Sequence, residues 1–392
     1  MKTQALAIAL VIAVGVLLQV MMGGLVNSLE QTRDAYYDRY RLADVFAPVK
    51  RAPAHILNRI TDLEGVAAVE GRVIGGALID IDDQAVPVQA QAVSLPDFHT
   101  PRLNDIHLVE GRRIDPRRHD EILLLKSFAQ AHDLGPGDEL SATMNGTRRT
   151  FKIAGLAQSP EFLYSTAPGE LVPDDARFAV IWLSEKALAA AYDVDGAFNE
   201  ALVALDRGAN PIQVRDAVDR LLEPYGSIGA YTLEDQYSNR FVTEEISGLK
   251  VSSASVPPVF MAVAAFLLYI VISRMIEAER MQIGLLKAFG YSSLEVGIHY
   301  LKFILTIAIG GASLGCILGI LSGQAMASYY QVYYKFPFLV FTIVPSDIIT
   351  AIGVSVLAAS AGGLFVLRKV FALTPAVAMR PPAPPDYSRS SG

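Results

Sequence analysis

The sequence contains very little of what disulfide-bonded, metal-binding or hydrolytic proteins need. Its 392 residues include one cysteine, Cys316, so no disulfide framework can form within one chain. Cys316 lies inside an apolar run and reads as a small packing residue. No GxxxxGK(S/T) phosphate loop occurs, so the chain should not hydrolyse ATP itself. The six histidines are scattered, without HExxH or comparable spacing. His107 and His119, with Asp105, Glu110, Asp115 and Asp120, read as an exposed polar loop around Gly111 and Pro116, and no metal or other cofactor is expected. Ser159, Glu161 and Ser165 lie near no evident base, which leaves a nucleophilic triad unsupported. Asp174-Asp175 reads as a turn after Pro173.

Four long apolar runs are present, at 5–25, 256–276, 301–325 and 345–367, and crossing a bilayer takes roughly 20 such residues. The 1+3 split around a large polar insert restricts function more than any single residue does. The first run is longer than a signal-peptide core and no small-x-small site closes it, so an uncleaved anchor is expected. Ionisable side chains are nearly absent from the runs, which argues against an ion-coupled path. Gly310, Gly311, Gly315 and Gly319 suggest a close-packing face in the third run, with Gly362 and Gly363 in the fourth.

Charge divides the chain. Residues 30–250 hold 35 Asp and Glu against 23 Lys and Arg, and the remainder holds 5 against 10. An acidic insert argues against nucleic acid as partner. Arg274, Arg280, Lys287 and Lys302 flank the loop between runs two and three, and Arg368, Lys369, Arg380 and Arg389 follow run four. Positive charge marks the cytoplasmic side, so both termini are expected inside and the insert outside, in the periplasm of a two-membrane bacterium. The aromatic group Tyr329, Tyr330, Tyr333, Tyr334, Phe336, Phe338 and Phe341 fits either an outer interfacial belt or ordinary loop packing.

The insert reads as α+β. Residues 30–60 look helical, with Leu29, Tyr36, Tyr40 and Val45 near a 3.6 period, and suggest a stalk continuing the first span. A short helix at 55–63 is followed by strands at 66–81 and 86–93, broken at Asp80, Asp82 and Asp83, and by another at 122–125. A helix at 127–132 precedes strands at 139–144 and 148–157, which flank Asn145-Gly146, the strongest short hairpin signal available. A strand at 180–183, a helix at 185–192, a strand at 201–206 and a helix at 211–222 follow. Residues 234–251 return as a polar helix into the second span, a second stalk.

The sharpest local signal runs from Arg274 to Glu295. Ile276, Ile283 and Leu286 share a helical stripe, with Glu277, Glu279, Arg280 and Lys287 on polar faces. Gly290 ends the helix, and Ser292 or Ser293 with Glu295 starts the next. A short charged amphipathic helix suits the docking of a soluble partner.

Residues Arg280, Gln282, Ile283, Gly284, Leu286, Lys287, Ala288 and Gly290 resemble the R-x-x-E-I-G-x-L-(R/K)-A-(L/F)-G signature of the FtsX/MacB-like ABC transporter permease superfamily, which includes the lipoprotein-release permeases. Gln282 stands where Glu is usual. The closing Pro375-Ala376-Val377-Ala378-Met379-Arg380 is similar to the family's P-x-x-A-(M/L)-R ending. The resemblance implies a four-helix membrane protein with a large α+β extracytoplasmic domain on helical stalks. The expected parts are a first span at 1–29, a MacB-like periplasmic core domain at 30–250, an FtsX-like permease domain at 251–378 and a Pro-rich tail or linker at 379–392. The chain looks like one four-span half of the long two-unit permeases. The implied partners are an ABC ATP-binding subunit, which would bind the ATP, and a second permease unit, either a homodimer mate or a fused second half. A periplasmic partner protein is a further expectation. The implied function is non-enzymatic coupling of ATP hydrolysis inside to movement of the outer domain, for export or extraction of a lipid, lipoprotein or other amphiphile. An ATP-driven switch for a cell-wall hydrolase is the alternative.

Overall fold

The computed structural model describes residues 2–81, 87–167, 169–170 and 172–372, with the backbone alone at 2 and 365–372. Asp82, Asp83, the closing motif around Pro375 and the tail at 379–392 lie outside the described residues. The apolar runs fall on four helices: α1 (Lys2–Tyr40), α6 (Tyr237–Ala278), α8 (Ser293–Tyr333) and α9 (Pro345–Ala372). Among the described residues these are the helices long and apolar enough to cross a membrane. The chain divides into two units. One comprises Met1–Ser28, Ser247–Ala327 and Val340–Gly392; the other comprises Leu29–Ile246 and Ser328–Leu339.

In the first unit the core is a seam of Ile8, Ile12, Val16 and Val20 on α1 against Leu268 and Ile272 on α6 and Ile304, Ala308 and Ala312 on α8. Glycine sets how near α1 and α8 come. A Cβ on Gly311 would stand 2.6 Å from the Ala9 carbonyl oxygen, and one on Gly315 2.5 Å from that of Ala13. One on Gly319 would stand 2.9 Å from that of Leu17. Such backbone approach replaces the hydrophobic drive that lipid removes. Gly310 does not belong to this face: a Cβ there would meet nothing within 4 Å. One residue is about 100° of helix, which turns Gly310 away from the seam. On α9, Gly362 lies against Ala265 of α6 in the same way: a Cβ there would stand 2.5 Å from the Ala265 carbonyl oxygen. The Phe341 ring wedges against both Gly24 and Gly323. Beside it Asn27 Nδ2 donates to Asp347 (2.8 Å), and the Thr342 amide donates to Ser28 Oγ (2.8 Å).

The second unit has two sheets. The smaller is antiparallel, in the order β11 (Tyr231–Thr232), β1 (Val45–Pro53), β10 (Ala197–Leu205), β2 (Val66–Arg72). Helices α2 (Ile56–Thr61) and α5 (Pro211–Leu222) pack on it through Ile56, Ile60, Val214, Val218 and Leu222. Asn210 starts α5 by accepting from the Ile212 amide (3.0 Å), with Pro211 at the position where a missing N–H costs least.

The larger sheet contains β3 (Ile74–Asp80), β4 (Val88–Leu95), β5 (His107–Gly111), β6 (Glu121–Leu125), β7 (Glu139–Met144), β8 (Thr147–Gln158) and β9 (Phe178–Ser184). Its order is β5-β8-β6-β9-β4-β3-β7, and β7 also pairs with β8, so six strands close on themselves as a barrel. The buried core around this sheet includes Val93, Ile122, Leu124, Ile153, Ile181 and Trp182, with Phe128 of α3 (Lys126–Ala131) and Leu188 of α4 (Glu185–Ala191) packed on it. Asn145 and Gly146 both take positive φ (46° and 76°) between β7 and β8, the geometry a two-residue hairpin turn needs.

The helix expected over 30–60 ends at Tyr40. Arg41 leaves the helical region at φ 52°, and 45–53 is strand β1, paired through Val45↔Val203 and Ala47↔Ala201. Pairing with a strand about 150 residues away outweighs the local helical period. Two further readings change. The strand expected over 66–81 is two strands in different sheets, and His107–Gly111 is a strand rather than a loop.

Candidate coupling helix and a buried charge cluster

Helix α7 (Arg280–Ala288) occupies the predicted docking loop. Glu277 sits in the last turn of α6, and Glu279 at the break that separates α6 from α7. The break is shallow: the Glu279 amide still donates to Met275 O and the Ile283 amide to Glu279 O, both at 2.9 Å. The Tyr300 hydroxyl of α8 donates to Glu279 Oε2 at 2.7 Å and ties the start of α7 to that helix. Ile283 and Gly284 are buried. Gly290, at φ 97°, accepts the left-handed turn that lets the Gly290 amide reach Lys287 O and the Tyr291 amide reach Leu286 O. Ser292 and Glu295 then form a reciprocal cap, each amide donating to the other's side chain at 2.8 and 3.2 Å.

The outward face of α7 is apolar. Met281, Leu285 and Phe289 are 73%, 50% and 76% exposed, and their spacing of four puts them in one stripe. The expected site residues therefore divide. Ile283 and Gly284 face inward, Leu286 is partly exposed at 41%, and the stripe available to a partner contains Met281 and Leu285, at unspecified positions of the signature, and Phe289, at its (L/F) position. Their signal was legible as an i, i+4, i+8 apolar row.

In the second unit, three charged residues gather that sequence reading kept apart. Arg72, at the end of β2, donates from Nε to Glu200 Oε2 of β10 at 2.6 Å and from NH1 to Glu161 Oε2 at 2.8 Å. Asn104 Nδ2 adds a bond to Glu161 Oε2 (2.9 Å), and Gln236 Nε2 to the Glu161 carbonyl (3.0 Å). All three ionisable side chains are buried. Burial opposes the charge on Arg72, but the two carboxylates more than reverse that and hold it protonated. Burial pushes the Glu200 carboxyl up, against the pull of Arg72. A second cluster joins Glu121 to Arg112 and Arg118; bonds from Arg112 hold the Glu121 carboxyl down at about 2 despite its burial. Asp105, expected as loop polarity, pairs with Arg113 at 3.0 Å. His107 Nδ1 lies 2.6 Å from the Tyr40 hydroxyl. Among the described residues no group of three or more His, Cys, Asp or Glu could hold a metal.

Most of the aromatic group after residue 328 lies in the second unit, whereas Phe341 belongs to the first. Tyr330 donates to Glu245 at 2.5 Å, Tyr334 and Phe336 are buried, and Tyr164 stacks on Phe241 at 4.5 Å. Lys335 Nζ reaches Asp175 at 2.7 Å, so Asp175 is an anchor as well as part of a turn.

Comparison with known proteins places both units. Residues 5–221 match the MacB-like periplasmic core domain and residues 254–375 the FtsX-like permease C-terminal domain. No curated protein matches the chain. Three similar solved structures cover about half of it. The extracellular domain of the noncanonic ABC-type transporter YknZ from Gram-positive bacteria has 10% identity over 48% of this chain and 98% of that one, TM-score 0.33. The periplasmic region of MacB from Actinobacillus actinomycetemcomitans has 8% identity over 52% and 92%, TM-score 0.32. A domain of a putative permease from Porphyromonas gingivalis has 13% identity over 50% and 90%, TM-score 0.30. On the two family matches, the chain belongs to the FtsX/MacB-like ABC transporter permeases.

Proposed function

We propose that the chain is the membrane subunit of an ABC system in which a separate ATP-binding subunit docks on α7. Permeases of this family generally work as paired units with such a subunit. The observation that carries the reading is the exposed stripe Met281, Leu285 and Phe289 on a helix seated by Ile283, Gly284 and the Tyr300–Glu279 bond. An apolar row on a short amphipathic helix is the form that enters a groove on a soluble partner. Glu277, Arg280, Gln282 and Lys287 supply its polar flank, and Ala288 and Gly290 close it. The excess of Lys and Arg around 274–302 and after 367 favours a cytoplasmic position for α7 and both termini, with the acidic unit outside the inner membrane. ATP-driven movement of α7 then works on an amphiphile handled by the outer unit, a lipid or lipoprotein among the candidates. A second permease unit completes the assembly, with Gly311, Gly315 and Gly319 kept for packing inside each unit.

The test is a mild-detergent pull-down of tagged chain from its native membrane, assayed for ATPase activity. Co-purification of an ATP-binding subunit, lost on Met281→Glu with Phe289→Glu, is the expected outcome. A pure chain without ATPase, or retention of the subunit by that double variant, would overturn the docking role of α7.

A further inference from the structure

The outer unit carries a cleft of about 1000 Å³ for which the coupling reading has no use. One wall is the outward face of β3 and β4. Strand alternation turns Ala77 and Ile79 into the barrel and leaves Gly76 and Leu78 outside. A Cβ on Gly76 would meet nothing within 4 Å, so the missing side chain keeps this wall open. Aromatic rings line the rest: Phe162, Tyr164, Phe178, Tyr231 and Tyr237.

The charged groups of the lining are all acidic. Glu161, Glu170 and Glu200 line the cleft, and no Lys, Arg or His is among the described lining residues. Arg72 pairs with Glu161 and Glu200, and Arg177 with Glu170 at 2.7 Å. Three carboxylates therefore meet two guanidinium groups, and both guanidinium groups stand outside the lining. Apolar walls of low dielectric strengthen the field of the unmatched charge. Tyrosine faces attract a cation that is stripped of water.

We propose that this cleft binds an amphiphilic organic cation, with the charged head toward Glu161 and Glu200 and the apolar body against Gly76 and the rings. An anionic head would meet three carboxylates and no cation in the lining. The inference rests on the reading of the outer unit as the substrate-handling part of the permease, and names the chemistry of what that part accepts.

The test uses the full chain in zwitterionic nanodiscs and two probes read by fluorescence anisotropy: rhodamine 6G, a soluble aromatic cation, and fluorescein, an anion of similar body. Rhodamine 6G should bind saturably and be displaced by dodecyltrimethylammonium but not by dodecanoate. Gly76→Trp fills the cleft from a position free of clashes and should weaken binding about tenfold or more, a loss of about 1.4 kcal/mol. Gly76→Leu should act in the same direction, and unchanged limited proteolysis checks that both variants fold. Equal binding of fluorescein, or rhodamine uptake that ignores both Gly76 variants, overturns the proposal. Absent rhodamine binding while an ATP-binding subunit still co-purifies sinks this inference alone. Cation binding without any co-purifying subunit sinks the coupling reading alone.

Discussion

The two units solve the same packing problem with opposite materials. The second unit buries charge: Arg72, Glu161 and Glu200 sit out of water and bond to one another. The membrane unit dispenses with side chains: Gly311, Gly315 and Gly319 bring α8 onto the carbonyls of α1. The difference follows from the surroundings. In water a sheet gains by hiding apolar surface, and a paired charge can be carried into the core if every polar atom finds a partner. In lipid, burying apolar surface gains little, and close backbone contact is what remains.

The sharpest break is Arg72→Ala. It leaves two buried carboxylates without their cation and should destabilise the outer unit by about 3–5 kcal/mol, while replacing Arg72, Glu161 and Glu200 together with Met or Leu should recover most of the loss. Thermal unfolding followed by protease sensitivity at the outer unit would show whether it does. Next comes Gly315→Val, which pushes a methyl group into the Ala13 carbonyl and should cost about 2–3 kcal/mol in steric-trapping measurements of the membrane unit. Gly310→Val in the same assay should lie within about 0.5 kcal/mol of wild type, because nothing stands near it. Equal effects at the two glycines would remove the distinction between seam and outer face.

Glu121 offers a smaller effect with a sign. Its folded pKa, about 2, lies below the unfolded value, so its stabilisation is complete above about pH 4.5 and disappears as pH falls towards 2. Discounted for the exposure of Arg112 and Arg118, Glu121→Gln should cost about 1–2 kcal/mol at pH 7. Its melting curve should merge with the wild type's near pH 2; a gap that widens in acid would contradict the ion pairing. Smallest is Gly290→Ala, where φ 97° strains any side chain; a cost of about 1 kcal/mol should appear as faster hydrogen exchange confined to the end of α7.

How much of this was readable beforehand depends on sequence distance. The long apolar helices, the Asn145-Gly146 turn, the helix from Pro211 and the Gly290 stop are local patterns, and the structure contains each of them. Arg72 and its two carboxylates are 89 and 128 residues apart, and no local period relates them. Strand β1 was hidden for the same reason, since its partner is β10. The glycine face was legible from spacing, since steps of four single out Gly311, Gly315 and Gly319, and the position of α1 shows that Gly310, read with them, is outside it. On α7 the motif drew attention to Ile283 and Gly284, which are buried, and away from Met281 and Leu285, which are not.

Ring closure of the larger sheet also bears on aggregation. An open sheet ends in strands whose unpaired amides invite another chain to pair with them. Six of the seven strands here have both edges occupied. The seventh, β5, is short and is followed at once by Arg112 and Arg113, charges that discourage a stranger from docking. Ring closure thus leaves the larger sheet with one short free edge.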